Sequence, residues 1–489
     1  MEQEFTLTQK TSRGILFRGI SQVVRQLIRF GIVAILANLL APEDFGLLAM
    51  VTVFTNFFGM ISDLGLNAAV IQKKELKKEE IFSVFWLIIL FGIILTLIFW
   101  GLSPLIAKFY QRKELVSITI VLGVSFFLNS FASVPVALLA REMKFGLLSI
   151  NEIIAVTLSG GGAIYLAFSG MGVWALVMQN IIYSFVYSMV NMYAAKYVPQ
   201  FIFKISKIKD MISFGGNLIL FNLVNYFARN ADNLLIGKFL GSNALGYYDL
   251  AYQIMLFPLR RISWTIGEVM FPALSRVQHT LSTVRDAYLR AVRMIASIIF
   301  PAMLGLWIIA PEFIEIILGS KWLPILYILR VFCLIGAFQS IATTAGWIYL
   351  SQGRADLQLK VGAVFVAIYI ISFIIGLHWG INGVATAYGL SILLIAYPAF
   401  KIPFSLINLE ISEFLKVLLP SIFSSLVMML SVLIFREILL ILYQSINGSL
   451  MIAEISWGVG CYFFSTLAIN RSVLEEIKVF YENLKLGQK

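Results

Sequence analysis

The sequence predicts an all-α polytopic membrane protein with about fourteen transmembrane helices. Hydrophobic residues make up 60% of the 489-residue chain and charged residues only 13%, about half the charged share of an ordinary soluble domain. A soluble protein of this length would expose much of that apolar surface to water and aggregate. The apolar runs are long rather than short and alternating, which favours helices over a β-barrel.

Each predicted helix is an apolar run long enough to cross a bilayer, which takes about 18 residues or more. Short linkers separate the runs, as is usual between neighbouring antiparallel helices. The predicted spans are about 13–40, 46–70, 82–102, 116–140, 147–168, 173–195, 210–239, 246–275, 287–310, 323–350, 357–377, 381–400, 414–435 and 450–470.

The distribution of positive charge predicts the orientation of the helices. Since cytoplasmic loops carry the excess of Lys and Arg, we expect both termini in the cytoplasm. The same rule accounts for the net charge of +11 without nucleic acid as a partner. The basic linkers include 72–80, 141–144, 196–210 and 276–293, and the bare or acidic ones include 41–45, 169–172 and 241–245.

An internal repeat relates spans 1 and 2 to spans 7 and 8. Any two apolar hairpins share some Gly and Leu, so the identities alone are weak evidence. The argument rests instead on the equal placement of the two copies among the predicted spans. Both copies run the same way through the membrane, as in transporters built from parallel repeats. The repeat predicts six-helix lobes at 1–200 and 201–405 around a central cavity, with two extra helices and a cytoplasmic tail at 406–489. The matched pairs, 200 residues apart without a gap, are Val24 and Val224, Arg29 and Arg229, Leu40 and Leu240, and Gly46 and Gly246.

Span 1 carries a line of polar side chains inside an apolar helix. Arg18, Arg25 and Arg29 recur at spacings that place them within about 40° on one helical face. Gln22 lies close to that face. An arginine at the bilayer centre costs about 2.5–3.5 kcal/mol on insertion scales, so such residues normally face a bundle interior or a water-filled cavity. The stripe therefore predicts three substrate-binding arginines and a glutamine that lines the cavity.

Spans 2, 7 and 8 carry polar faces of the same kind, and together the faces of both lobes would line the central cavity. The arginines outnumber the aspartates, so the cavity is expected to be cationic. Its ligand should be anionic, and phosphate or pyrophosphate suits the guanidinium fork. The further residues expected to bind substrate are Arg229, Arg260 and Arg261, and those expected to line the cavity or bind a coupling ion are Asn56, Asp63, Asn67, Asn225, Asp232 and Asp249.

Several of these residues have a structural alternative. Arg18 could snorkel to the cytoplasmic surface, and Arg229 could form an ion pair with Asp232. Arg260 and Arg261 are consecutive, so one of them should face elsewhere. The aspartates could be counter-ions of arginine, or one of them could bind a coupling ion, and the sequence leaves both alternatives open.

The chain lacks the sequence signatures of an enzyme. It has no Gly-rich phosphate loop, no metal-ligand spacing and no Ser-His-Asp set. The two cysteines, Cys333 and Cys461, lie in apolar runs and imply no disulfide framework. We therefore expect no enzymatic activity, no metal site and no cofactor, apart from a coupling ion that would be H⁺ or Na⁺.

Five motifs along the chain point to a known family. They are LLAPEDFGLLAMV at 39–51, DLGLNAAVIQ at 63–72, ALLAREMKF at 137–145, RNADNLLIGKFLGSNALGYYDLAYQI at 229–254 and FPALSRVQ at 271–278. With them, the chain resembles Wzx-type flippases, the polysaccharide exporter branch of the multidrug, oligosaccharidyl-lipid and polysaccharide exporter superfamily. The likeness covers nearly the whole chain and rests on the order and spacing of the motifs.

The resemblance implies a flippase of lipopolysaccharide or exopolysaccharide biosynthesis in the bacterial inner membrane. Such proteins are similar to alternating-access machines that move undecaprenyl-pyrophosphate-linked oligosaccharide from the inner to the outer leaflet, coupled to a proton or sodium gradient. The resemblance also implies that arginines hold the pyrophosphate. The expected partners are the lipid-linked oligosaccharide and membrane lipids, and it stays open whether a polysaccharide polymerase or assembly proteins act beside the chain. The arginines given this role as a charge pattern are Arg18, Arg25, Arg29, Arg229 and Arg260.

Two other transporters of the same superfamily are alternatives. A multidrug or small-molecule antiporter usually needs an acidic cavity for organic cations, which the excess of arginine argues against. A lipid II flippase also has a cationic cavity, so composition does not exclude it, but the motifs at 229–278 favour the polysaccharide branch.

Overall fold

A computed structural model describes residues 7–62, 65–73, 76–204, 226, 230–443 and 448–470. The regular structure in these residues is helical and includes no strand, which confirms the predicted all-α class. By backbone contacts the chain divides into two units, residues 1–246 and 247–489. The lobe boundaries drawn from the repeat stay a prediction.

Eight helices and the beginning of a ninth form the described part of the first unit. They are α1 (Leu7–Leu39), α2 (Pro42–Gly59), α3 (Leu66–Gln72), α4 (Lys78–Tyr110), α5 (Leu115–Arg141), α6 (Phe145–Phe168) and α7 (Val173–Ala194), followed by the short α8 (Ala231–Phe239) and the start of α9 (Gly241–Arg276).

The second unit continues α9 and adds helices up to residue 469. They are α10 (Leu281–Phe313), a π-helical turn (Ile314–Leu318), a 3₁₀ helix (Ser320–Ile325), α11 (Leu326–Ala342), α12 (Ala345–Ser351), α13 (Ala355–Gly376), a 3₁₀ turn (Leu377–Trp379), α14 (Gly380–Ser405), α15 (Ile411–Tyr443) and α16 (Gly448–Ile469).

Nine helical segments of the described residues are long and apolar enough to cross a membrane. The protein is therefore a multi-pass membrane protein, while the count of about fourteen spans stays a prediction. The nine do not include α1, α2 or α9, which are helices that carry the polar residues singled out above. On α14, the side chains of Leu390, Leu393 and Leu394 are well exposed, as expected for a face that contacts lipid rather than water.

The second predicted span is not one continuous helix. Helix α2 ends at Gly59, and α3 begins at Leu66. Gly65 adopts a φ of 65°, a left-handed conformation that glycine reaches without steric cost. The polar face predicted for span 2 is therefore not a face of one helix, because Asn56 lies on α2 and Asn67 lies on α3.

Arg141 holds the end of α3 against α5. Its guanidinium donates hydrogen bonds to the backbone carbonyls of Val70, at 2.8 Å, and Lys73. The last carbonyls of a helix have no partner within the helix, and a cation there also interacts favourably with the helix dipole. Two of the sequence motifs, at 63–72 and 137–145, thus meet in one contact.

The glycine run at 160–162 makes close contact between helices. A Cβ atom on Gly160 would lie 2.1 Å from Cδ1 of Ile32 on α1, and one on Gly162 would lie 2.8 Å from Cδ1 of Ile182 on α7. Gly161 has no such neighbour within 4 Å. Small residues let membrane helices approach closely, where dispersion contacts hold them together. The run therefore sets the position of α6 between α1 and α7.

A second close approach joins the first turns of α2 and α9. A Cβ on Gly46 would lie 1.7 Å from the carbonyl oxygen of Ser242, and a Cβ on Gly246 would lie 1.9 Å from that of Pro42. The contact is reciprocal: Gly46 meets Ser242, the counterpart of Pro42, and Pro42 meets Gly246, the counterpart of Gly46. A local two-fold axis produces this kind of exchange. Arg112 bonds both Glu43, at 2.6 Å, and Ser242, at 2.9 Å. This geometry supports the repeat.

Replacing Gly160 with leucine should destabilise the protein more than the same change at Gly161. A side chain at 160 collides with Ile32, and overpacking of this kind costs about 1–3 kcal/mol, whereas a side chain at 161 enters open space. Both changes remove a glycine from the same helix, so backbone effects cancel. Thermal unfolding of the purified variants in one detergent measures the difference. Equal melting temperatures would contradict the packing role.

Candidate substrate-binding site

Two of the predicted arginines converge on one carboxylate. Arg25 donates from Nη1 to Oε2 of Glu152 on α6, and Arg29 donates from Nη2 to Oε1 of the same residue at 3.1 Å. The two arginines are one turn apart on α1 and therefore face the same way. Each takes one oxygen of the carboxylate, so both oxygens of Glu152 accept a hydrogen bond from arginine. We call Arg25, Arg29 and Glu152 the arginine–glutamate triad.

The triad is unequally exposed and keeps a positive charge. The exposed side-chain fraction is 13% for Arg25, 42% for Arg29 and 23% for Glu152. Two guanidinium groups and one carboxylate leave a net charge of +1 when all are ionised. The Nε of Arg25 is buried and has no hydrogen-bond partner. Arg29 is thus the member best placed to reach an anion, and Arg25 is held deeper in the helix bundle.

Two stacked tyrosines extend the triad. The rings of Tyr183 and Tyr187 on α7 lie 5.6 Å apart and nearly parallel. Tyr183 lies close to Glu152 and Arg29, and Tyr187 lies close to Glu152 and Arg25. Their spacing of four residues places both on one face of α7. The tyrosines therefore form one wall of the site.

A buried amide pair fixes α6 against α7 beside this wall. Nδ2 of Asn151 donates to Oδ1 of Asn191 at 3.0 Å, and Nδ2 of Asn191 donates to the carbonyl of Tyr187 at 2.8 Å. Both asparagines are buried, where an unpaired amide would be costly. The pair thus holds Glu152, the next residue on α6, in register with the tyrosines.

The same tyrosines line a polar cavity of about 310 Å³. Ser133 on α5 donates to Oδ1 of Asn67 on α3 at 2.8 Å within it. The break between α2 and α3 is what brings Asn67 to this place, since a continuous helix would have carried it elsewhere. The lining side chains and backbone come from Gly59, Ser62, Asn67, Ile88, Asn129, Ser130, Ala132, Ser133, Val136, Tyr183 and Tyr187.

The chemistry of the cavity suits a neutral polar ligand, with the triad beside it suited to an anion. Serine hydroxyls and asparagine amides both donate and accept hydrogen bonds, and tyrosine offers an apolar ring with a polar tip. A larger cavity of about 440 Å³ in the second unit has a different character, because its wall is almost entirely aliphatic and aromatic side chains such as Phe338, Phe400 and Phe414. It offers no partner for a charged group.

The other predicted residues with described side chains lie elsewhere. Asn56 is exposed on α2 and is close to Tyr226. Asp232 is buried in the first turn of α8, where its Oδ1 accepts from the backbone N–H of Asn233 at 2.9 Å. Asp249 is half-buried and accepts from Gln253 at 2.6 Å. Gln22 is half-buried on α1.

Six predicted residues fall outside the described side chains. Their convergence on a shared cavity stays a prediction. They are Arg18, Asp63, Asn225, Arg229, Arg260 and Arg261.

Glu152 is the functional residue that the sequence reasoning missed, and it corrects the charge balance. The predicted excess of arginine over acid was counted against Asp63, Asp232 and Asp249 alone. A lone carboxylate in the predicted span at 147–168 was a usable signal, since acids in membrane helices are rare and usually paired. The sequence did not reveal which arginines would pair with Glu152.

Comparison with known proteins relates the chain to polysaccharide biosynthesis proteins. The sequence profile of the family described as "Polysaccharide biosynthesis protein" matches residues 35–327. The teichuronic acid biosynthesis protein TuaB of Bacillus subtilis is 30% identical over 77% of this chain and 78% of its own length. The lipopolysaccharide biosynthesis protein WzxC of Escherichia coli is 26% identical over 76% of each chain.

A solved structure shares the fold. The lipid II flippase MurJ in its inward closed conformation superposes with a TM-score of 0.74, at 16% identity, over 94% of this chain and 100% of its own.

Replacing Glu152 with glutamine should lower stability because two guanidinium groups would lose their counter-ion. The loss should exceed the ~0–1 kcal/mol of a surface pair. It should stay below the about 3–5 kcal/mol of a fully buried pair, since Glu152 is partly exposed. Thermal unfolding in detergent measures it. Glu142→Gln is the matched control, because Glu142 forms an exposed pair with Lys144. If both variants melt alike, the triad stabilises the fold no more than a surface pair does.

Proposed function

Because the chain belongs to the polysaccharide biosynthesis protein family, we propose that it is a flippase. It moves a polyprenyl-pyrophosphate-linked oligosaccharide, a precursor of surface polysaccharide, from the inner to the outer leaflet of a bacterial membrane. The single observation that carries this proposal is the arginine–glutamate triad beside a polar, tyrosine-lined cavity inside an otherwise apolar helical unit.

The triad supplies the contact to the pyrophosphate. A guanidinium has five N–H donors, and Arg29 uses only some of them on Glu152. The remaining donors are free to form the paired hydrogen bonds that phosphate oxygens accept. Glu152 keeps both arginines in place when no substrate is bound, so the site is assembled before the headgroup arrives.

The polar cavity receives sugar units. Sugar hydroxyls need hydrogen-bond partners once they leave water, and Asn67, Asn129 and Ser133 provide them. The flat faces of sugar rings are apolar and pack on aromatic rings such as those of Tyr183 and Tyr187. The polyprenyl chain needs no such site, because it stays in the bilayer while the headgroup crosses.

The transport cycle is one of alternating access, driven by a gradient of H⁺ or Na⁺. The basic linkers at 72–80 and 141–144 support a cytoplasmic N-terminus. Entry of the substrate from the cytoplasmic leaflet then brings its phosphates towards α1. A substrate-binding role for Arg18, Arg229, Arg260 and Arg261 stays part of this proposal as a charge pattern of the sequence.

The triad argues against the multidrug alternative. An exporter of organic cations needs an acid that is free to pair with its substrate, and both oxygens of Glu152 already accept from arginine. A lipid II flippase would use the same pyrophosphate chemistry. The substrates of the two flippases therefore differ in their sugars, and a genetic test distinguishes the two functions.

Replacing Arg29 with glutamine should slow flipping about ten- to a hundred-fold, the effect of losing one charged hydrogen-bond partner of the headgroup. Arg29→Lys should retain part of the activity, since it keeps the charge. The measurement is the amount of lipid-linked glycan on the cytoplasmic face of cells that carry only the variant. Arg354→Gln is the matched control, because Arg354 has a similar side-chain exposure but lies outside the site.

The same cells separate the proposal from its rivals. Normal surface polysaccharide in cells with Arg29→Gln would contradict the binding role of the triad. If the chain instead sustains growth after depletion of a lipid II flippase, and its loss leaves surface polysaccharide unchanged, the substrate is lipid II.

A further inference from the structure

A second buried charge cluster lies in the second unit, where α10, α15 and α16 pack together. Arg436 on α15 donates from Nη2 to Oε1 of Glu312 on α10, and its Nε lies 3.7 Å from Oε1 of Glu454 on α16. Its Nη1 also donates to the carbonyl of Ile308 at 3.3 Å. Both glutamate side chains are 0% exposed and the arginine is 14% exposed.

The hydrogen bonding of the two acids is incomplete. Oε2 of Glu312 and both carboxylate oxygens of Glu454 are buried without a hydrogen-bond partner. The 3.7 Å separation from Arg436 is within ion-pair range but too long for a hydrogen bond. Glu454 therefore gains attraction from Arg436 while its oxygens stay unsatisfied, which is costly for an ionised group away from water.

The charge balance has the opposite sign to that of the arginine–glutamate triad. Two ionised glutamates and one guanidinium would leave a net charge of −1 in the helix interior. Burying an uncompensated charge is strongly unfavourable, and two nearby carboxylates disfavour joint ionisation. One positive charge is thus missing from the cluster, and Glu454 is the place where it would bind.

The neighbouring charged groups do not supply that charge. Arg330 on α11, which packs against α10, lies over the ring of Trp307 and donates to the carbonyl of that residue. Glu315 and Glu437 are exposed. The other charged side chains of α10 and α15 lie towards the opposite ends of these helices, at Arg285, Asp286, Arg290, Arg293, Glu413 and Lys416.

A proton suits this cluster better than a metal ion does. Hard cations take six or more oxygen ligands, whereas three oxygens from two side chains are available here. In the described part of the chain, no group of three or more His, Cys, Asp or Glu side chains could hold a metal ion. A proton needs only one carboxylate oxygen and turns Glu454 into a neutral hydrogen-bond donor.

We propose that the Glu312–Arg436–Glu454 cluster is a proton-binding site, with Glu454 as the residue that takes and releases the proton. When Glu454 is protonated, Arg436 is balanced by Glu312 alone. When it loses the proton, its carboxylate draws Arg436 from α15 towards α16. Protonation therefore changes how tightly α16 is held to α10 and α15.

In the context of transport, this site is where a proton gradient acts on the protein. That part of the inference rests on the proposed flippase function, whereas proton binding does not. The cluster lies within about two turns of the connection between α15 and α16, and Arg436 is the partly exposed member of the three.

Proton binding by the cluster can be tested on the purified protein without any transport assay. Infrared difference spectra across a pH titration should show the C=O band of one protonated carboxyl at neutral pH. The band should disappear in Glu454→Gln, whose amide mimics the neutral acid and preserves the fold. It should persist in Glu315→Gln, the exposed control, and grow in Arg436→Gln, where both acids lose their counter-ion.

Two outcomes would overturn proton binding. One is a band that survives in Glu454→Gln and is absent from Glu312→Gln, since the proton would then be on Glu312. The other is the lack of such a band in the wild type, together with a sodium-dependent rise in melting temperature that Glu454→Gln abolishes. In that case the site binds a metal cation.

A test of whether the proton gradient drives transport through this cluster needs vesicles with a pH gradient and a lipid-linked oligosaccharide as the probe. Glu454→Gln should flip at the rate the wild type shows without a gradient, while Glu315→Gln keeps the full response. An unaltered response in Glu454→Gln would show that the gradient acts elsewhere. Lack of flipping by the wild type would refute the proposed function and leave the infrared result standing.

Discussion

A charge in the interior of a membrane helix bundle must be matched, and this constraint shapes both units of the protein. Arg25 and Arg29 would be costly on a single apolar helix. Glu152 compensates for them from α6 and so fixes which face of α1 meets which face of α6. A carboxylate with both oxygens engaged has little freedom to turn, so the ion pair determines the geometry of the site around it.

Close packing makes this ion pair possible. Gly160 lets Ile32 approach α6 without obstruction, and the same contact brings the arginines of α1 within reach of Glu152, two turns away along α6. The helices are thus held by dispersion at one level and by charge at another. Neither interaction would be as strong alone, because the charged groups need a dry, well-packed surrounding to attract one another.

The two charge clusters differ in sign, and their proposed roles follow from that difference. The arginine–glutamate triad has one positive charge to spare and suits an anionic headgroup. The cluster around Arg436 lacks one positive charge and suits a proton. A transporter that couples an anionic substrate to a cation gradient needs both kinds of site. Here each is built within a single unit, from side chains on different helices.

The sequence by itself determined the helical class, the membrane environment and the common face of Arg25 and Arg29, because these depend on composition and on the local period of a helix. Tertiary structure decided that Glu152 is their partner, that Asn67 turns into the polar cavity after a break at Gly65, and that two distant glutamates share Arg436. Such contacts join residues far apart in the chain, and helical periodicity carries no information about which helix faces which.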